Sequence, residues 1–168
     1  NISLPGGCAI GTRPIDIHLD GLSKLGVEFE IQNGFIKGLV KDKLIGANIN
    51  LPFPSVGATE NLIMVASFSK GNTIINNAAR EPEIADLIKS LNSMGAKISG
   101  SGSKCIKITG VDNFVEAEHS IMFDRIVAGT FILAGVMRNK KFKINNVNAK
   151  CLRALINSLK KMKANLIV

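Results

Sequence analysis

Tryptophan and tyrosine are absent from this 168-residue chain, and eight phenylalanines supply all of its aromatic rings. Proteins that bind single-stranded nucleic acid stack bases on aromatic side chains beside a basic groove, and the platform is missing here. Cysteine is scarce too: Cys8, Cys105 and Cys151 are odd in number, far apart and outside any Cys-x-x-Cys pair. That argues against a disulfide framework or a zinc site and predicts free thiols. No apolar run approaches the roughly 20 residues that cross a bilayer. The opening NISLPGGC lacks the basic-then-apolar layout of a signal peptide, so a cytosolic location is expected. The first residue is Asn1 and the last run, ANLIV, reads as part of a strand; both ends are expected to be cuts in a longer chain. Acid is missing from one region only, since residues 125–168 hold ten basic residues and no Asp or Glu. The net charge of +8 would suit nucleic acid or an acidic membrane, but without aromatic partners a solvated basic face is the plainer reading. With 46% hydrophobic and 20% charged residues, the remainder is that of a soluble globular protein of one or two domains.

What is present in quantity is internal repetition. Residues 15–29 (IDIHLDGLSKLGVEF), 84–98 (IADLIKSLNSMGAKI) and 152–166 (LRALINSLKKMKANL) superpose without gaps at offsets of 69 and 68 residues. Leu22, Leu91 and Leu159 coincide, as do Leu25, Met94 and Met162. Each segment reads as an amphipathic helix, the third with the i, i+3, i+4, i+7 apolar stripe Leu152, Leu155, Ile156, Leu159, and then turns towards strand character. Strands are expected at GVEFEIQ, GFIKGLV and ANINL after the first copy, and at AKISG and KCIKITG, joined as a hairpin through SGSGS, after the second. A second helix recurs at residues 55–71 and 124–139, each before a short strand, TIIN or KFKIN. Its centres, LIMVASF and TFILAGV, are apolar nearly all round, which predicts burial on every side. The repeating unit is therefore helix, strand, helix, strand, strand, with a leading strand such as ANINL or SIMF.

Two segments stand out chemically. In LPGGCAIGTRPIDIHL (residues 4–19) Pro5, Gly6, Gly7 and Gly11 make a loop with Cys8 at its tip, and Arg13 and Pro14 lead into a helix. Such a loop can bring a thiol and a guanidinium to one ligand, although an isolated Cys is also commonly an inert small hydrophobe. In FPSVGATEN (residues 53–61) Ser55 can cap a helix whose first amides, at Val56, Gly57 and Ala58, suit a phosphate; an ordinary cap explains the same residues. Glu81 and Glu83 beside Pro82 fit the positive end of a helix. His18 and His119 have no second ligand at metal spacing, so no metal is predicted; Cys105 and Cys151 read as structural.

Taken together, PGGCAIGTRPIDIHL, PSVGATEN, NAAREPEIADL, MGAKISGSG and DRIVAGTF resemble, in order and spacing, the landmarks of the UDP-N-acetylglucosamine 1-carboxyvinyltransferase family. The resemblance covers essentially the whole chain, and PGGC with Arg-Pro five residues after the Cys separates it from the sister family of aromatic amino-acid synthesis. It implies an α/β fold, the inside-out α/β barrel of the enolpyruvyl transferases, in which two domains are each built from three βαβαββ units with helices inside and sheets outside. It also implies transfer of the enolpyruvyl group of phosphoenolpyruvate to the 3-hydroxyl of UDP-N-acetylglucosamine with release of phosphate, the opening step of peptidoglycan synthesis. By the same resemblance Cys8 is the proton donor and the fosfomycin target, and Arg13 contacts phosphate-bearing ligands. Pro14, Ile15, Asp16 and Ile17 line the uridine pocket, and Phe53, Pro54, Ser55, Val56 and Gly57 form a second nucleotide-binding stretch. Phe53 stands where certain members place Lys, which leaves that position to backbone contacts. The resemblance implies no metal, cofactor, nucleic acid or membrane partner, a cytoplasmic location and a monomeric complete enzyme. Residues 1–123 correspond to the latter part of the first domain and 124–168 to the opening unit of the second. The family's Lys-Asn pair, its second-domain Asp and its later arginines have no counterpart here.

A non-catalytic remnant that keeps some nucleotide-sugar contacts, or a basic nucleic-acid-binding module, remain the other readings. Saturable binding of the nucleotide sugar separates the last from the others, and turnover separates the first two.

Overall fold

The structure is a computed structural model that describes residues 2–3, 15–138 and 142–167. The chain divides into two compact units, Asn1–His119 and Ser120–Val168.

The first unit begins with a three-stranded antiparallel sheet of β1 (Ile2–Ser3), β2 (Glu28–Gln32) and β3 (Phe35–Leu39), in the order β1-β3-β2. Helix α1 (Asp16–Lys24) precedes β2. The β2–β3 turn is Asn33-Gly34, both with positive φ (50° and 77°), the pairing that a tight hairpin's twist requires. A complete βαβαββ unit follows: β4 (Asn48–Asn50), α2 (Val56–Ala66), β5 (Asn72–Asn76), α3 (Pro82–Ser93), β6 (Lys97–Ser99) and β7 (Cys105–Thr109). Its sheet runs β4-β5-β7-β6, with β4 parallel to β5 and β7 antiparallel to both its neighbours. Every strand predicted for this stretch forms.

Alternation decides which face of that sheet is covered. Ile49, Ile75, Ile98, Ile106 and Ile108 are buried while Lys97, Lys107 and Thr109 face outward, the period of two that a half-buried strand imposes. The covering layer is helical: Leu62, Ile63 and Ala66 of α2 and Ile84, Ile88 and Leu91 of α3 join the same core, and α2 packs on both α1 and α3. Expected burial of α2 holds for Ala58, Thr59, Leu62, Ile63 and Ala66, whereas Met64 and Phe68 stay exposed.

The repeat seen in the sequence is also written in the backbone. At the end of α1 the amide of Val27 donates to the carbonyl of Leu22 and that of Gly26 to Ser23; at the end of α3 Ala96 donates to Leu91 and Gly95 to Asn92. Ala164 donates to Leu159 and Lys163 to Lys160 at the end of α5 (Arg153–Lys161), so one helix stop recurs in all three copies. The residue in the left-handed conformation is Gly26 (φ 101°), Gly95 (φ 96°) and Lys163 (φ 62°). Only the last has a side chain there.

The second unit holds α4 (Arg125–Arg138), a single 3-10 turn (Ala149–Leu152) and α5. Asp124 caps α4 by accepting the amides of Ile126 (2.8 Å) and Val127 (3.0 Å), the position that Ser55 holds for α2. Here two expectations need correction. Residues 120–123, 142–145 and 164–167, read as strands SIMF, KFKIN and ANLIV, are not strands; Lys141 and Val168 lie outside the described residues. Helix α4 is not buried on every side, since Ala128 and Gly129 are covered but Ile126, Val127, Phe131, Leu133 and Met137 are exposed. Its core is small, built on Ala128, Leu152 and Ile156. No helix among the described residues is long and apolar enough to cross a membrane.

Candidate functional site

Strand β4 delivers the chain through buried Leu51 to the Pro52-Phe53-Pro54 turn, and Ser55 opens α2. Ser55 Oγ accepts the amide of Ala58 at 3.3 Å, and its carbonyl accepts the Thr59 amide (3.0 Å) and hydroxyl (2.7 Å). The cap foreseen from the sequence is real, and it leaves the phosphate reading intact. The amides of Val56 and Gly57 belong to the first turn, where a helix supplies no internal acceptor. Thr59 Oγ1 in turn accepts the amide of Ala79 at 3.1 Å, which ties the start of α2 to the loop between β5 and α3.

The other candidate stretch opens α1. Ile15 is its N-cap, Asp16 its exposed first residue at the positive end of the helix, and Ile17 packs against the core. Two contacts bring this helix start against that of α2. His18 Nδ1 lies 2.8 Å from Asn61 Nδ2; the amide donates, so a neutral imidazole carries its proton on Nε2. A Cβ on Gly57 would meet His18 Cε1 at 3.4 Å and Nε2 at 3.6 Å, so the ring lies against the bare backbone of the α2 first turn. Deeper in the pair, a Cβ on Gly21 would strike the Leu62 side chain at 2.7 Å, and only glycine allows this approach. Ile17 and Val56 thereby pack against one core, with His18 laid on Gly57 between the two helix starts.

Sequence alone gives His18 no metal partner and Gly21 no role. The signal was available: Gly21 lies one turn beyond Ile17 on α1, and Gly57 and Asn61 lie one turn apart on α2. Pairing them requires knowing which helices touch. Cys8, Arg13 and Pro14 lie outside the described residues. Cys105 begins β7 and Cys151 sits in the 3-10 turn; both are free and half-buried.

Phe53 and Pro54 are exposed at the mouth of the α2 start. Pro54 also lines a cleft of about 580 Å³ with Asn77, Ala78, Arg80, Glu81, Gly102 and Lys104. Farther along α2, burial holds the Glu60 carboxyl above its ordinary value of 4.5, and the negative charge of Glu83 on α3 adds to the rise. His119 Nε2 lies 3.2 Å from Asp86 Oδ2. Among the described residues no group of three His, Cys, Asp or Glu is placed to hold a metal ion.

These residues can be set beside known proteins. The profile of the EPSP synthase (3-phosphoshikimate 1-carboxyvinyltransferase) family matches residues 1–168. UDP-N-acetylglucosamine 1-carboxyvinyltransferase 1 of Halalkalibacterium halodurans is 51% identical, over 96% of this chain and 37% of that protein. UDP-N-acetylglucosamine 1-carboxyvinyltransferase 2 of Clostridium tetani is 54% identical, over 94% and 38%. The chain thus spans less than two fifths of the length of these two relatives. In fold, it matches the crystal structure of the enolpyruvyl transferase NikO from Streptomyces tendae with a TM-score of 0.76 at 18% identity, over 94% of this chain and 40% of that one. EPSP synthase from Acinetobacter baumannii gives 0.67 at 19% identity, over 93% and 36%. The inside-out α/β fold expected from the sequence is therefore present in part, as the βαβαββ unit of β4 to β7 and its flanking elements. The chain belongs to the EPSP synthase family, and the curated relatives it matches at about half identity carry the name UDP-N-acetylglucosamine 1-carboxyvinyltransferase.

Proposed function

We propose that this chain is a segment of an enzyme that moves the enolpyruvyl group of phosphoenolpyruvate to the 3-hydroxyl of UDP-N-acetylglucosamine, releasing phosphate for peptidoglycan synthesis. The observation that carries the reading is the meeting of two sequence stretches at one place: α1 and α2 start side by side, joined through His18, Asn61 and Gly57. The share of identity with proteins of that name supports it.

In this reading the first-turn amides of Val56 and Gly57 hold the nucleotide phosphates, with Phe53, Pro54 and Ser55 shaping the approach. Pro14, Ile15, Asp16 and Ile17 border the uridine, Arg13 offers its guanidinium fork to phosphate oxygens, and Cys8 protonates the methylene carbon of phosphoenolpyruvate. Residues 1–123 close the first domain of the enzyme and 124–168 open the second. The enzyme works in the cytoplasm as a monomer and without a metal or cofactor.

The 168-residue chain should bind UDP-N-acetylglucosamine saturably without turning it over, because the base, further cations and the far wall of the cleft are contributed elsewhere. In the longer parent protein, phosphate release from phosphoenolpyruvate should be abolished by Cys8→Ala and partly kept by Cys8→Asp, which retains a titratable proton. Full phosphate release in Cys8→Ala would overturn the role of Cys8. Binding of random-sequence DNA that falls steeply with salt, with no nucleotide-sugar binding, would favour a nucleic-acid module instead.

A further inference from the structure

The cleft beside Pro54 is lined in a way that the roles assigned so far leave unused. We infer that it is an anion subsite adjoining the start of α2, in which Arg80 and Lys104 hold phosphate oxygens of the nucleotide-sugar ligand. The inference rests on the proposed function for the identity of that ligand, and on its own observations for the site.

The first is position. The cleft lies where the chain leaves the carboxyl ends of the parallel strands β4 and β5 for α2 and α3, which is where open α/β sheets place their ligands. Its volume of about 580 Å³ suits a small molecule.

The second is chemistry. Pro54 and Ala78 are the apolar residues of the lining; the others offer the Asn77 amide, the Arg80 guanidinium, the Lys104 ammonium and the Glu81 carboxylate, with Gly102 at the rim. Polar and apolar surface are close to balanced in the lining, and two cations face one acid. The acid is held on its own loop, where Glu81 Oε2 accepts the backbone amide of Arg80 at 2.8 Å. Phe53 brings no charge to the α2 start, so cations for a bound phosphate have to come from other segments. Among the described residues, Arg80 and Lys104 are the cations that line the cleft with Pro54.

The third is rigidity of the backbone that carries them. Asn77, held in a left-handed conformation (φ 55°), donates its side-chain amide to the Leu51 carbonyl at 2.9 Å at the end of β4. The Ala78 amide donates to the Lys104 carbonyl at 3.0 Å, and that of Ala79 to Thr59 Oγ1 at 3.1 Å. Three successive residues thus pin the Arg80 loop to β4, to the β6–β7 turn and to the first turns of α2. The two cations come from backbone held in fixed relation to Ser55, Val56 and Gly57, as a preorganised phosphate site requires.

The test is isothermal titration of the full 168-residue chain and its Arg80→Gln, Lys104→Gln and double variants. The probes are UDP-N-acetylglucosamine, uridine and inorganic pyrophosphate, each at two salt concentrations. Both side chains are exposed, so the variants should keep the wild-type circular dichroism and melting transition. Each single variant should weaken UDP-N-acetylglucosamine binding about tenfold, the worth of one charge-assisted contact. The double variant should lose most of the salt dependence, uridine should be indifferent, and Arg80→Lys should recover part of the loss. Nucleotide-sugar binding that is equal in wild type and double variant overturns the subsite and leaves the proposed function standing. If pyrophosphate binds wild type but not the double variant while the nucleotide sugar binds neither, the anion site stands and the proposed function falls. If no probe binds wild type, both fall.

Discussion

The two units carry the same repeated sequence plan, yet the first realises it fully and the second only in its helices. Helix α3 runs into β6 and β7, which pair with each other and with β5, whereas α5 ends in the same hydrogen-bonded stop and its chain continues through 164–167 without a strand. A helix satisfies its backbone within itself, while a strand exists only when a neighbour supplies donors and acceptors. Burial follows the same division. The α2 face that meets α1, α3 and the sheet is covered, but the corresponding helix α4 leaves Ile126, Phe131 and Met137 in solvent. Similar sequence therefore yields similar local structure, and the pairing surroundings decide the rest.

The largest expected effect asks whether the first unit's sheet core is what separates the two. Ile106 is fully buried in β7, opposite Ile75 of β5, and Ile106→Ala should cost about 2–5 kcal/mol, read from the urea midpoint. Ile156→Ala in the small second core should cost about 2 kcal/mol or less. Equal losses would break the comparison.

An intermediate effect sharpens it at the shared helix stop. Gly95→Ala puts a side chain into a left-handed conformation and should destabilise by about 1 kcal/mol, because a Cβ there meets only Val115 Cγ2 at an ordinary 3.9 Å and the backbone term remains. Lys163→Gly makes the opposite change and should stabilise α5 by up to about 1 kcal/mol, seen as increased helicity or slower amide exchange. A neutral result at both positions would mean that the stop does not limit either helix.

The smallest effect concerns charge, which also differs between the units, since residues 125–168 have no acid and the acids of α2 and α3 pack near one another. The Glu60 carboxyl is raised in the folded chain above 4.5, so its favourable contribution is complete below that value and is lost as pH rises through the folded one. Glu60→Gln should therefore be more stable than wild type at pH 7 by a few tenths of a kcal/mol, with the advantage gone near pH 4. An advantage that persists at pH 4 would assign it to packing rather than charge.

Much of this molecule is legible from residues alone because its signals are local. The three helix copies, the Ser55 cap and the alternating isoleucines of β7 depend on neighbours a few residues away, and sequence order preserves those. The strand expectations at SIMF, KFKIN and ANLIV failed for the complementary reason: β-propensity names a segment that can pair and says nothing of whether a partner lies beside it. The candidate site divides along the same line. Ser55 as a cap, Asp16 at a helix start and the apolar face of α2 follow from sequence. That His18 meets Gly57 and Asn61, that Gly21 admits Leu62, and that Arg80 and Lys104 come to Pro54 across 26 and 50 residues of chain were decided by the tertiary structure alone. Those contacts close only when the parallel crossover of β4, α2 and β5 and the β6–β7 hairpin have assembled, and no local preference along the chain encodes which distant loops then share an end of the sheet.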